Sequence, residues 1–111
     1  HAYGYGEYVP KCFSWFLTNL EGGGVIAAMG NTGLGMGYHD SGYTTGLDGW
    51  LMPQFFKHYG VNNETFIGAA HSYAIKDYAL NFDCNSDDAD RQMLEQWPLM
   101  GDPSMLIGGY E

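Results

Sequence analysis

Two segments of this chain have a pattern that predicts β-strands, and both are short apolar runs. This small number of predicted strands is the feature that constrains the fold most. Residues 25–29 (Val-Ile-Ala-Ala-Met) lie between glycines, and residues 105–107 (Met-Leu-Ile) follow a turn. A short continuous apolar run bounded by glycine is typical of a buried strand, here expected to be parallel. Because two strands do not form an independently stable sheet, we expect strands from elsewhere to complete it.

Four segments have helical patterns, and the predicted helices cover residues 9–20, 47–59, 65–80 and 86–97. Asn62-Asn63-Glu64 is expected to cap the third helix and Ser86 the fourth, while Pro53 predicts a kink or a later start in the second. The third helix has an inward-facing stripe formed by Ile67, Ala70, Ala74 and Tyr78. The order helix, strand, helix, helix, helix, strand predicts one segment, residues 1–111, that forms part of an α/β sandwich.

The composition disfavours nucleic acid as a partner and favours a surface that is partly covered by other protein. Thirteen acidic residues against four basic ones give a net charge of −9, so nucleic-acid binding is not expected because it needs a basic surface. A basic substrate, calcium and solubility alone are all compatible with this charge. Only 15% of residues are charged and 45% are hydrophobic, so we expect another segment, subunit or copy of the chain to cover part of the surface.

The chain has no apolar run near 18 residues and no signal peptide, so neither a membrane span nor an export signal is predicted from it. It starts at His1 rather than methionine, and we therefore expect a processed or excised segment. We also expect that residues 1–111 do not fold alone.

A tight turn is predicted at residues 101–104, Gly-Asp-Pro-Ser, between Trp97 and the second predicted strand. Gly101 can adopt a positive φ, Asp102 can bond to its own backbone, and Pro103 fixes φ. This ending resembles the end of the catalytic domain of gingipain-type cysteine peptidases. Four further segments resemble that family in the same order, at residues 9–13, at residues 22–29, from Gly30 onward, and at residues 65–70.

The resemblance implies a caspase-like three-layer α/β/α sandwich, of which this chain is the C-terminal portion. It implies a cysteine endopeptidase whose Cys–His dyad lies on upstream sequence, so that no catalytic residue is expected in this chain. The chain would then be a segment or small subunit that needs an upstream segment or large subunit of the same precursor. By the same resemblance it would act on peptides or proteins, without a cofactor, outside the cell or at its surface.

The resemblance also places part of the substrate pocket on the glycine-rich loop after the first strand. The residues implied are Asn31, Thr32, Gly33 and Met36. Residues 31–38 contain no acidic residue, so a charge for recognising a basic substrate would come from upstream sequence or from Asp40, or the specificity would differ. The alternative for this loop is a flexible glycine linker.

Several residues have both a chemical and a structural interpretation. Cys12, near a helix start, could be a nucleophile, although a buried small side chain is favoured. His39 and Asp40 are favoured as loop surface, and His71 as a hydrogen-bonded histidine at the edge of the core. Cys12 and Cys84 could form a disulfide if they meet in space.

Four acidic residues near the predicted fourth helix could bind calcium, although stabilisation of the helix start is the favoured explanation. They are Asp83, Asp87, Asp88 and Asp90.

At the level of the whole protein, the alternative to a peptidase segment is a catalytically inactive assembly protein with a caspase-like fold. The aromatic start, with Tyr3, Tyr5 and Tyr8, and the low charge would suit packing against neighbours or a homo-oligomer.

Overall fold

The computed structural model describes residues 12–108. In this part of the chain it has four α-helices and a two-stranded sheet, which is compatible with the expected α/β class. Their bounds are α1 Phe13–Thr18, β1 Ala27–Met29, α2 Leu47–Gly60, α3 Ile67–Asn81, α4 Asp88–Gln96 and β2 Leu99–Gly101, with a short 3₁₀ helix at Asp40–Gly42. Within the described residues, none of these helices has the length and apolar character that crossing a bilayer requires.

The core lies where α2, α3 and α4 pack together. Its buried side chains come from the inner faces of these helices and from Trp97, which directly follows α4. They are Leu47, Leu51, Phe55, Ala70, Ala74, Tyr78, Met93 and Trp97. Three of the four residues predicted for the inner stripe of α3 are buried, and Ile67 is half-buried against the same cluster. The helical spacing therefore predicted the packed face of α3 correctly.

The sheet differs from the prediction in its direction and in its second strand. β1 pairs with β2 in the antiparallel sense, with Ala27 opposite Gly101 and Met29 opposite Leu99. The predicted parallel pairing of residues 25–29 was therefore wrong within the described chain. β2 leads into the Gly-Asp-Pro-Ser turn and ends at its first residue, Gly101, whereas the prediction placed the strand after the turn. Gly101 fits its position because its φ is +126° and an added Cβ would lie 2.9 Å from the Ala27 Cβ.

The apolar run at residues 105–107 does not join this sheet. The turn carries it to the start of α3, where Leu106 forms an isolated antiparallel bridge with Phe66. The Ile67 N–H donates to the Met105 carbonyl at 3.0 Å, and the Ile107 N–H donates to the Thr65 carbonyl at 2.8 Å. The Gly-Asp-Pro-Ser turn itself is confirmed, because Asp102 Oδ1 accepts from the Ser104 N–H at 2.9 Å and from the Ser104 hydroxyl at 2.7 Å. These hydrogen bonds lower the pKa of the Asp102 carboxyl.

Helix α1 is shorter than predicted. It starts after Cys12, whose sulfur accepts from the Trp15 N–H, and it ends at Thr18 instead of residue 20. Residues 9–11 of the predicted helix lie outside the described residues, as do Tyr3, Tyr5 and Tyr8.

The apolar side chains of α1 face outward, since Phe13 is 65% exposed while Ser14 is buried. Exposed apolar side chains also lie between α1 and β1, which contact each other. The set called here the α1–β1 surface consists of Phe13, Phe16, Leu20, Val25 and Ile26.

The starts of the other helices are fixed by residues other than those predicted. Asp87, not Ser86, caps α4, and its carboxylate accepts from the N–H groups of Ala89 and Asp90. Phe66 occupies the N-cap position of α3 without a side-chain capping bond. Of the predicted cap at residues 62–64, only Glu64 contacts the helix start among the described residues, because its Oε1 accepts from the Phe66 N–H at 3.1 Å. Pro53 lies inside α2, which nevertheless starts at Leu47 as predicted.

Candidate functional site

The loop between β1 and α2 is anchored on one side by Asp48, in the first turn of α2. One carboxylate oxygen, Oδ2, accepts from the Asn31 side-chain amide at 2.7 Å and from the Met36 N–H at 2.9 Å. The Asp48 N–H in turn donates to the Met36 carbonyl at 3.1 Å. Asp48 therefore closes residues 31–36 onto the start of the helix.

On the other side the loop is anchored by Gln96, the last residue of α4. Gln96 is buried, and its side-chain amide donates to the Leu34 carbonyl at 3.0 Å. Its own backbone carbonyl accepts from the Thr32 N–H at 2.8 Å. The Gln92 side chain donates to Gln96 Oε1 at 2.9 Å and orients the amide.

Two glycines in this loop lie where a side chain would collide with these anchors. A Cβ on Gly35 would be 2.7 Å from Asn31 Nδ2 and 2.8 Å from Asp48 Oδ2. A Cβ on Gly33 would lie 3.0 Å from Gln96 Oε1. Residues 31–36 therefore hold one conformation through specific partners, which disfavours the flexible-linker interpretation of this part of the loop.

The anchored loop has two buried oxygens without hydrogen-bond partners among the described residues, Asn31 Oδ1 and Asp48 Oδ1. Both are acceptors, so the group that would complete them is a hydrogen-bond donor. A buried acceptor without a partner costs about 1–3 kcal/mol. Within the described residues, the site therefore offers a ligand two hydrogen-bond acceptors, one amide oxygen and one carboxylate oxygen.

All four residues predicted for the pocket lie at this anchored loop. Asn31 and Met36 contact Asp48, Thr32 contacts Gln96, and Gly33 packs beside Gln96 Oε1. Asp40, the acid considered for this loop, is exposed in the short 3₁₀ helix.

Asp48 and Gln96 were not predicted as site residues. The contact between Asp48 and Met36 spans 12 residues of the chain, and a contact at that distance leaves no periodic signal in the sequence.

The start of α2, which carries Asp48, is itself fixed by Tyr78 of α3. The Tyr78 hydroxyl accepts from the Leu47 N–H at 3.1 Å and donates to Asp90 at 2.5 Å. Leu47 has a φ of +55°, a conformation that is uncommon for a branched side chain. Burial, with the bond to Asp90, raises the pKa of Tyr78. The core helices therefore support the anchored loop through a buried hydrogen-bonded tyrosine.

The other candidate residues have structural partners. Cys12 is buried at the N-cap of α1, and Cys12 and Cys84 are both free thiols in the structure. Desolvation raises the pKa of Cys84. His71 stacks on Trp97 with ring centroids 4.8 Å apart and bonds to the Trp97 carbonyl at 2.8 Å, as expected for a hydrogen-bonded histidine at the core edge.

The acidic residues considered for calcium are directed to different partners. Asp87 caps α4, Asp88 pairs with Arg91, Asp90 accepts from Tyr78, and Asp83 accepts from the Ser86 N–H. Among residues 12–108 there is no group of three or more His, Cys, Asp or Glu side chains placed to hold a metal ion. His39, beside Asp40, is an exposed loop residue.

Comparison with protein families gives a match over most of the chain. The model described as peptidase family C25 matches residues 3–108, which is most of the chain and includes the anchored loop and the Gly-Asp-Pro-Ser turn. Comparisons with curated proteins and with solved structures returned no match.

Proposed function

Because this chain belongs to peptidase family C25, the gingipain family of cysteine peptidases, we propose that it is a segment or small subunit of a gingipain-like cysteine endopeptidase. In this proposal it supplies strands and part of the substrate pocket to a caspase-like α/β/α sandwich, and the Cys–His dyad lies on upstream sequence. The hydrolysis requires a thiolate and an imidazole and no cofactor. We place the enzyme outside the cell or at its surface.

The observation that supports the pocket role most is the double anchoring of residues 31–36. A pocket wall must keep its shape when a peptide binds, because positioning a substrate is worth little if the contacting residues move. Asp48 and Gln96 give this loop such a shape, with bonds from two different helices. The role of this chain in the reaction is therefore to bind and orient the peptide near the dyad.

The α1–β1 surface supports completion by another segment. Phe13 is 65% exposed and Ile26 is 60% exposed, and large apolar side chains exposed on neighbouring elements are typical of an interface. β1 is also only three residues long and belongs to a two-stranded sheet, which is not independently stable. The proposed occupant is the upstream segment of the same precursor.

The dyad is proposed to lie elsewhere because the thiols described here are not suited to attack a peptide bond. Cys12 is buried and accepts from the Trp15 N–H. The raised pKa of Cys84 disfavours its thiolate, and the thiolate is the nucleophile. In the proposed reaction an upstream thiolate attacks the scissile carbonyl carbon. The histidine then protonates the leaving amine, and water releases the acyl group from sulfur.

The test is to express this chain together with the segment that precedes it, and to assay hydrolysis of a peptide library with and without iodoacetamide. We expect thiol-dependent cleavage that survives the double replacement Cys12→Ser and Cys84→Ser. We also expect mass spectrometry to locate alkylation on an upstream cysteine. Loss of all cleavage in the double variant, while it stays folded, would contradict the assignment of the dyad.

The alternative function is an inactive assembly protein with the same fold. The α1–β1 surface is the observation that favours it, because a homo-oligomer would cover this surface as well as an upstream segment would. A folded protein that cleaves no peptide and self-associates through this surface, so that Phe13→Ser and Ile26→Ser make it monomeric, would support the alternative over the peptidase.

A further inference from the structure

A groove of about 350 Å³ lies between the end of α2 and the middle of α3, away from the anchored loop in sequence, and it is called here the His58 groove. Its lining residues are His58, Asn62, Glu64 and Tyr73. The volume is in the range of pockets that hold small ligands. Because none of the four lining residues is lysine or arginine, the groove lacks the cation that a phosphate or carboxylate ligand prefers.

Two of the lining residues, Asn62 and Glu64, lie in the turn that follows α2. The Asn62 N–H donates to the Lys57 carbonyl at 3.1 Å, and the Glu64 N–H donates to the His58 carbonyl at 2.9 Å. Asn63 between them has a φ of +55°, which asparagine tolerates better than most residues. The backbone of this turn is therefore fixed before any ligand binds.

His58 determines which atom of Asn62 is left for a ligand. Its Nε2 lies 2.6 Å from Asp77 Oδ2, and its Nδ1 lies 2.9 Å from Asn62 Nδ2. Because a carboxylate only accepts, we assign the His58 proton to Nε2 and a lone pair to Nδ1, which then accepts from the Asn62 amide. Asn62 Oδ1 therefore remains as a hydrogen-bond acceptor.

Glu64 supplies a second acceptor. Its Oε1 accepts from the Phe66 N–H at 3.1 Å, which leaves Oε2 to face a ligand. Because one carboxylate oxygen is already engaged, a cation that pairs with both oxygens at once is disfavoured. The groove therefore presents two separate acceptor atoms, one on each of two residues of the same turn.

Tyr73 supplies a flat apolar wall. Its ring lies 5.3 Å from the His58 ring at an angle of 32°, and the His58 side chain is only 12% exposed. Tyr73 itself is 45% exposed. Packing on His58 therefore restrains the tyrosine ring, and ring surface is still left for a ligand that has an apolar face.

We propose that the His58 groove binds a pyranose sugar. A pyranose is uncharged, and its adjacent hydroxyl groups donate to separate acceptors such as Asn62 Oδ1 and Glu64 Oε2. The C–H groups on one face of the sugar ring pack against the negative face of an aromatic ring such as that of Tyr73. The site is independent of the proposed peptidase function, because neither the dyad nor the anchored loop contributes to it.

The experiment is saturation-transfer difference NMR of the native protein with methyl β-D-glucopyranoside. Cyclohexanol keeps a six-membered ring with a single hydroxyl, and glycerol keeps adjacent hydroxyls without a ring. We expect both controls to bind at least about ten-fold more weakly than the sugar, because each lacks one half of the recognition.

Methyl β-cellobioside distinguishes the two sources of such a sugar, since it presents the same ring at the end of a chain. Binding as tight as that of the monosaccharide assigns the groove to the end of a glycan. Weaker binding assigns it to a free monosaccharide.

Two pairs of variants assign the binding to the groove. Glu64→Gln keeps an oxygen for the Phe66 N–H but turns a donating NH₂ group towards the sugar, so we expect about ten-fold weaker binding. Glu21→Gln, an exposed change outside the groove, should leave binding unchanged. Tyr73→Leu removes the flat ring and should weaken binding, whereas Tyr43→Leu, at a tyrosine that is 61% exposed outside the groove, should not.

Three results would overturn the proposal whether or not the protein is a peptidase. They are the absence of saturation transfer to the sugar, equal binding of the sugar and glycerol, and equal effects within either pair of variants.

Discussion

Tyr78 holds the N–H of Leu47 at the start of α2, 31 residues away in the sequence, through its buried hydroxyl at 3.1 Å. The same hydroxyl donates to Asp90 of α4 at 2.5 Å. One oxygen therefore links the three helices of the core at the point where α2 turns into the anchored loop. Since Asp48 follows Leu47 directly, the position of the loop depends on this link.

Replacing Tyr78 with phenylalanine keeps the ring and removes the link. We expect the free energy of unfolding to fall by about 1–3 kcal/mol, because the Leu47 N–H is left buried without an acceptor. Denaturant unfolding measures the change. Tyr43→Phe is the matched control, since Tyr43 is 61% exposed, and its effect should be within about 0.5 kcal/mol. Equal stability of the two variants would show that the Tyr78 hydroxyl contributes nothing.

The raised pKa of Tyr78 predicts a loss of stability at alkaline pH. Below the ordinary tyrosine pKa of about 10, the hydroxyl is protonated in both the folded and the unfolded chain. Above it the unfolded chain releases the proton first, so the free energy of unfolding falls as pH rises towards the folded pKa. Unfolding measured from pH 8 to pH 11 should show a steeper decline in the natural protein than in Tyr78→Phe. Parallel curves would contradict the assignment.

Gly68 in the first turn of α3 is needed because Pro103 of the Gly-Asp-Pro-Ser turn lies against it. An added Cβ would be 2.5 Å from the Pro103 Cβ and 2.7 Å from the Pro103 carbonyl oxygen. We expect Gly68→Ala to lower the free energy of unfolding by about 1–3 kcal/mol through this clash. Gly60→Ala is the matched control, since a Cβ there meets no atom within 4 Å. It should be neutral or stabilising by up to about 1 kcal/mol, because alanine favours a helix. Thermal unfolding should therefore show a lower melting temperature for Gly68→Ala and an unchanged or higher melting temperature for Gly60→Ala.

The sequence predicted local features that depend on spacing, and it failed where the partner was distant. The inner stripe of α3 was predicted correctly because Ala70, Ala74 and Tyr78 recur at helical spacing. Residues 105–107 were predicted as a strand because they are apolar, but the pairing of such a run is decided by the turn before it. The same limit applies to the site, where the glycines marked the loop but nothing local indicated that Asp48 would fold back onto Met36.

Asp48 provides the sharpest test of the anchored loop. Asp48→Ala removes the acceptor for both the Met36 N–H and the Asn31 amide, so we expect faster hydrogen exchange at Met36 and a free energy of unfolding lower by about 1–3 kcal/mol. Asp48→Asn keeps an acceptor oxygen of similar shape and should retain most of the protection. Asp40→Asn, an exposed change in the same loop, should leave exchange at Met36 unchanged.

The same three variants test whether the loop positions substrate. In the peptidase assembled with its upstream segment, loss of the anchor in Asp48→Ala should raise KM more than it lowers kcat, because the loop contributes binding and not the reacting groups. Asp48→Asn should restore most of the KM, and Asp40→Asn should match the natural enzyme. A variant with a freely exchanging loop and an unchanged KM would show that residues 31–36 are a structural connection, with the pocket formed elsewhere.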